Sequence, residues 1–92
     1  MIYPTYPQQL AVLSQQIDQE IVLHDPRTGK VYMLNPTASL IWSLCDGMHS
    51  TAEIAKEIQN RFRLTPETIL TTVEKTVAEL KEYGLIKLLA KE

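Results

Sequence analysis

Little in this chain could do chemistry by itself. Cysteine occurs once, histidine twice and glycine three times in 92 residues. With one cysteine no internal disulfide forms, so a chain this short must be held together by packing alone. Cys45 also falls on the apolar face of a predicted helix, where a free cysteine acts as a small hydrophobe and not as a reactive thiol. The glycines, Gly29, Gly47 and Gly84, stand one per turn, so there is no glycine-rich phosphate loop. His24 and His49 are read as lacking a cysteine or carboxylate at metal-ligand spacing, which leaves neither a zinc site nor a nucleophile–histidine pair. The carboxylates lie among lysines, as on solvated helix faces. No cofactor, metal or catalytic residue is read here, and the chain is expected not to be an enzyme.

Long apolar runs are missing too, which excludes a membrane-spanning helix. The opening Met-Ile-Tyr-Pro-Thr-Tyr-Pro lacks both the basic start and the apolar core of a signal peptide, so a cytoplasmic location is expected. Nor is there an excess of positive charge. The net charge is −2 and the pI about 5.6, whereas a nucleic-acid reader places several Lys or Arg against phosphates. The last predicted helix sets Glu67, Glu74, Glu79 and Glu82 against Lys75 and Lys81. A winged-helix nucleic-acid binder is the alternative reading by shape, and this acidic helix argues against it.

What is present is a folding pattern. Apolar residues make up 45% of the chain, enough for one globular domain over residues 1–92. Residues 1–9, with two prolines and two tyrosines, read as a flexible arm. Leu10–Ser14 reads as a first strand and Ile21–Asp25 as a second. Asp25-Pro26-Arg27-Thr28-Gly29 holds the residues of a tight turn, so Lys30–Leu34 returns antiparallel as a third strand. Asn35 then caps a helix with Pro36 at its first position, running to about Asp46 and stopped by Gly47. Ser50-Thr51-Ala52-Glu53 matches a capping box; Ile54, Ala55, Ile58 and Phe62 form the stripe of the helix it opens. Thr65 and Pro66 open a third helix, 66–83, striped with Ile69, Leu70, Val73, Val77 and Leu80 and closed by Gly84. Leu85–Leu89 reads as a further strand or an extended cover. The expected fold is α+β: a three-stranded antiparallel sheet followed by three helices, in a winged helix-turn-helix-like arrangement.

With chemistry set aside, binding remains. The third strand has a neighbour on one side only, so its other edge offers free N–H and C=O groups. A peptide could add there as a further strand, or the arm or tail could cover the edge permanently. The residues leave both open. Alternation predicts that Tyr32 and Leu34 face the core, with Val31 and Met33 on the opposite face.

The string Ile21-Val22-Leu23-His24-Asp25, then Thr28 to Asn35, Ala38, Ile41-Trp42 and Asp46-Gly47, resembles the PqqD family. So does the later pattern of Thr51, Ile54, Phe62, Val73, Leu80 and Gly84-Leu85-Ile86. The family takes its name from a protein of pyrroloquinoline-quinone biosynthesis, and its fold recurs as the recognition element of ribosomally made, post-translationally modified peptide pathways. The resemblance implies a non-catalytic adaptor. It would hold the leader of a precursor peptide antiparallel to strand 30–34, in a groove against helix 66–83, and present it to a maturation enzyme. The strand residues would be Lys30, Val31, Tyr32, Met33 and Leu34. The groove wall would be Ile69, Thr72, Val73, Thr76, Val77 and Leu80. Members serving the quinone precursor open with a Pro-rich stretch and an Arg-rich first strand, absent from Gln8–Gln19. The chain is more similar to the free-standing recognition protein of lasso-peptide systems, whose partners are a leader peptidase and a cyclase. A quinone-precursor chaperone, a partnership with a radical-SAM enzyme, and a monomer or weak homodimer are the further readings that the resemblance allows.

Overall fold

Alternation in Glu20–Asp25 puts Ile21, Leu23 and Asp25 on one face, and all three are buried. The computed structural model describes residues 5–90 and places them in β1 (Thr5–Gln9), β2 (Leu13–Ile17), β3 (Glu20–Asp25), β4 (Lys30–Leu34), α1 (Pro36–Ser43), α2 (Thr51–Arg61), α3 (Pro66–Glu82) and β5 (Ile86–Ala90). The fold is α+β. The three-stranded antiparallel sheet has the order β2-β3-β4, with Ile21 opposite Leu34 and Asp25 opposite Lys30 across the hairpin. Gly29, at φ 75, donates its N–H to the Asp25 carbonyl at 2.8 Å, closing the turn as its residues require.

Three features differ from the sequence reading. The first strand of this sheet is β2, three residues beyond Leu10. Its side chains are exposed throughout, so hydrogen bonding to β3 and not burial sets its limits, and Gln15 and Gln16 are ordinary edge residues. Asp18, at φ 56, turns the chain into β3 in a left-handed conformation that Asp tolerates. Second, the expected flexible arm contains β1, antiparallel to β5 with Pro7 opposite Leu88; residues 1–4 lie outside the described residues. Pro7 is admissible because a two-stranded ribbon is all edge. Third, α1 stops at Ser43 and not near Asp46. Beyond it the chain binds β1: the Cys45 carbonyl accepts from the Gln9 N–H and the Gly47 N–H donates to the Pro7 carbonyl, both at 2.8 Å. Gly47 sits at φ 79, with the Gln8 side chain where a Cβ would stand.

The helix caps are as the sequence predicts. The Asn35 side chain accepts from the Ala38 N–H at 2.8 Å. Ser50 and Glu53 exchange bonds of 2.8 and 3.2 Å, the full capping box. Leu23, Ile41, Ile54, Ile58, Val73 and Leu85 are wholly buried between the sheet and the helices. Ser39 ties α1 to the sheet: its hydroxyl accepts from the Ile21 N–H at 2.8 Å and donates to the Leu34 carbonyl at 3.0 Å. With both bonds made, the cost of desolvating this buried hydroxyl is offset, and it anchors β3 and β4 at the end where α1 begins.

Candidate functional site

β4 is the edge of its sheet: among the described residues one of its sides pairs with β3 and the other with no strand. Its side chains alternate as expected. Leu34 is buried and Tyr32 half-buried, while Val31 and Met33 are 60% and 72% exposed. Between Lys30, whose N–H donates to the Thr28 hydroxyl at 3.2 Å, and Leu34, whose carbonyl accepts from Ser39, the outer edge of β4 meets no other strand among the described residues, which is the requirement for strand addition.

Beside this edge lies a cleft of about 150 Å³. One wall is the end of β4 and the first turn of α1, through Leu34, Asn35, Thr37 and Ala38. The other is α3, through Thr72, Thr76, Glu79, Leu80 and Tyr83. Tyr83 packs its ring against Tyr32 of β4, with centroids 5.0 Å apart and planes tilted by 30°. Of the residues read as groove wall, Thr72, Thr76 and Leu80 do line the cleft. Ile69, Val73 and Val77 do not: they are 1%, 0% and 6% exposed and belong to the core. Their stripe faces the sheet interior, and the threonines one step round the helix face the cleft. Asn35, Thr37, Ala38, Glu79 and Tyr83 were missed. The signal for two of them was present, because Thr72, Thr76, Glu79 and Tyr83 recur at helical spacing along a single stripe.

A second missed group fixes the geometry. Asp25 is 1% exposed, and both its carboxylate oxygens accept from the Arg27 guanidinium, at 3.0 and 3.1 Å. The same guanidinium donates to the Gly84 carbonyl at 2.7 Å. This clamp joins the β3–β4 turn to the end of α3, so the two walls of the cleft are tied at their far ends. The Arg27 hydrogen bonds hold the Asp25 carboxyl below its ordinary value, and Asp25 in turn raises Arg27. The clamp was legible in principle, because an Asp at the inward position of a strand must be partnered.

The remaining shifted groups stand apart from the cleft. His49, read as having no carboxylate at metal-ligand spacing, meets the Asp46 carboxylate at 3.0 Å, and this bond raises the His49 pKa. Burial pushes Asp46 upward, but its bonds to His49 and to the Met48 N–H leave it lowered. Glu53 is lowered by the Ser50 N–H. Burial pushes the Cys45 thiol up to about 12, far from the thiolate a nucleophile needs. Among the described residues, no group of three His, Cys, Asp or Glu side chains is gathered for a metal, and no helix is long and apolar enough to cross a membrane.

Comparison with known proteins bears on this site. Residues 20–86 match the family described as "Coenzyme PQQ synthesis protein D (PqqD)". Two solved structures share the fold. One is TbiB1 in complex with the TbiA(beta) leader peptide, at a TM-score of 0.81 and 27% identity, covering 91% of this chain and 99% of that one. The other is a lasso peptide synthetase B1 complexed with the leader peptide, at 0.79 and 26%, covering 89% and 98%. Among curated proteins none matches.

Proposed function

The chain belongs to the PqqD family, and on that premise we propose that it is a non-catalytic adaptor that captures the leader of a precursor peptide. The leader adds antiparallel to β4 and lays side chains into the cleft against α3. The adaptor then offers the precursor to a maturation enzyme. The observation that carries this reading is the unpaired β4 edge standing beside an open cleft. That two proteins of the same fold are complexed with leader peptides supports it and favours a lasso-type pathway.

Energetics set what the leader must contain. About four main-chain hydrogen bonds, at roughly 0.5–1.5 kcal/mol each, contribute about 2–6 kcal/mol. Micromolar binding requires about 8 kcal/mol. One or two buried apolar anchors, at about 1.5–3 kcal/mol each, cover the difference. The cleft offers room for such an anchor, with Leu34 and Leu80 as its apolar lining and Thr72 and Thr76 as its polar one.

The test is an N-methyl scan of the leader of the precursor encoded with this chain, read by competition binding. Strand addition predicts a period of two: methylation at alternate residues abolishes binding and at the residues between leaves it nearly unchanged. A response without that alternation refutes pairing to β4.

A further inference from the structure

A larger cavity than this cleft lies elsewhere in the molecule. On the opposite side of α1, between that helix, the β2–β3 turn and the C-terminal end of α2, lies a pocket of about 330 Å³. Its floor is apolar, from Ile21, Leu40 and the half-buried ring of Phe62. Several of its polar groups are already satisfied within the fold: Ser39 bonds both strands, Ser43 donates to the Ser39 carbonyl at 2.9 Å, and the Gln16 amide donates to the Asp18 carbonyl at 3.0 Å. The guanidinium of Arg61 and the amide of Gln19 are the exceptions. Among the described residues neither makes a side-chain hydrogen bond or ion pair, and no carboxylate lines the pocket. In a chain of net charge −2, this is a place where an unpartnered cation stands over an apolar floor.

Position says what could fill it. A strand antiparallel to β4 begins at the Leu34 end, so the residues that precede it leave the sheet beside Asn35 and Pro36. The first turn of α1 presents Thr37 and Ala38 to the cleft and Pro36, Ser39 and Leu40 to the pocket. A helix is about 10 Å across with its side chains, which three or four extended residues cross at about 3.3 Å each. We infer that this pocket is a second subsite for the leader, and that it takes a carboxylate carried next to an apolar side chain a few residues before the strand segment. Arg61 pairs the carboxylate in the geometry guanidinium favours, Gln19 donates to it from the opposite rim, and the apolar neighbour packs on Leu40 and Phe62. This rests on the leader reading above.

Arg61→Gln tests it, since the side chain is exposed and its loss leaves the fold intact. Two leaders are compared, one complete and one cut just before the strand segment. For the complete leader, Arg61→Gln lowers affinity about tenfold, the scale of one charge-assisted pair. For the cut leader it changes nothing. An equal effect on both leaders, or on neither, overturns the subsite. A second arm is independent of β4: N-acetyl-Leu-Glu-amide at millimolar concentration shifts the amides of Gln19, Leu40 and Phe62 in the isotope-labelled protein, and N-acetyl-Leu-Gln-amide does not. If neither leader binds the β4 edge, the leader reading falls and this arm still decides the pocket. Equal shifts with both dipeptides, or none with either, refute it.

Discussion

Filling the cleft should abolish most of the leader affinity without touching the fold, and Thr76→Phe is the substitution that does so. Thr76 is half-buried on the cleft side of α3, not in the core. The cleft measures about 150 Å³, room for one leucine-sized side chain, which a phenylalanine ring at this position occupies. The variant therefore excludes one leader anchor, whose burial contributes about 1.5–3 kcal/mol. At about 1.4 kcal/mol per decade, Kd rises roughly 10- to 150-fold. Thr and Phe differ little in helix propensity and the site is at the surface, so unfolding stability should stay within about 0.5 kcal/mol of the parent. Fluorescence anisotropy with a labelled leader measures the first, and urea denaturation followed by Trp42 emission the second. A folded variant that binds within twofold of the parent refutes the placement of the anchor.

Four further outcomes follow from the same geometry. Leu80→Ala should lose about 2–5 kcal/mol of stability, because a 2% exposed leucine leaves a cavity; the unfolding midpoint falls accordingly in calorimetry. Val77→Asp should give no folded protein, since Val77 is 6% exposed within the core and not on the cleft; a native-like circular dichroism spectrum contradicts this. Asp25→Asn should destabilise at neutral pH and become indistinguishable from the parent in acid. The Asp25 pKa is lowered in the folded state, so its contribution is complete above the ordinary carboxylate value and is lost as pH falls through the lowered one; a stability gap that persists in strong acid rejects the clamp. Cys45, with its pKa raised to about 12, should resist iodoacetamide at pH 8 until the chain is unfolded, as mass spectrometry would show.

Much of the fold was legible because local signals were strong and mutually consistent. The Asp25–Gly29 turn, the Asn35, Ser50 and Thr65 caps and the α2 and α3 stripes each specify their element through neighbours in sequence. What was missed depends on distant parts of the chain. β1 has no apolar alternation to announce it, and it is a strand because β5, some eighty residues away, lies antiparallel to it. The early end of α1 has the same origin, since the Cys45 carbonyl and the Gly47 N–H bond to β1. At the candidate site the edge strand was legible and the groove wall only half so. Helical periodicity identifies a buried stripe, and Ile69, Val73 and Val77 are that stripe; which neighbouring stripe faces a cleft is decided by where β4 and α1 pack. Arg27 shows the same limit, because its third bond goes to Gly84, a partner that no local pattern indicates.

The central claim is that the leader becomes a strand on the free edge of β4. Its most direct test is an amide titration of the isotope-labelled protein with that leader, followed by cross-strand nuclear Overhauser contacts. The account predicts shifts concentrated on Lys30–Leu34, Thr72 and Thr76, with contacts between leader and β4 α-protons in antiparallel register. Binding that leaves those amides unmoved, or contacts to β2 at the other edge of the sheet, contradicts it.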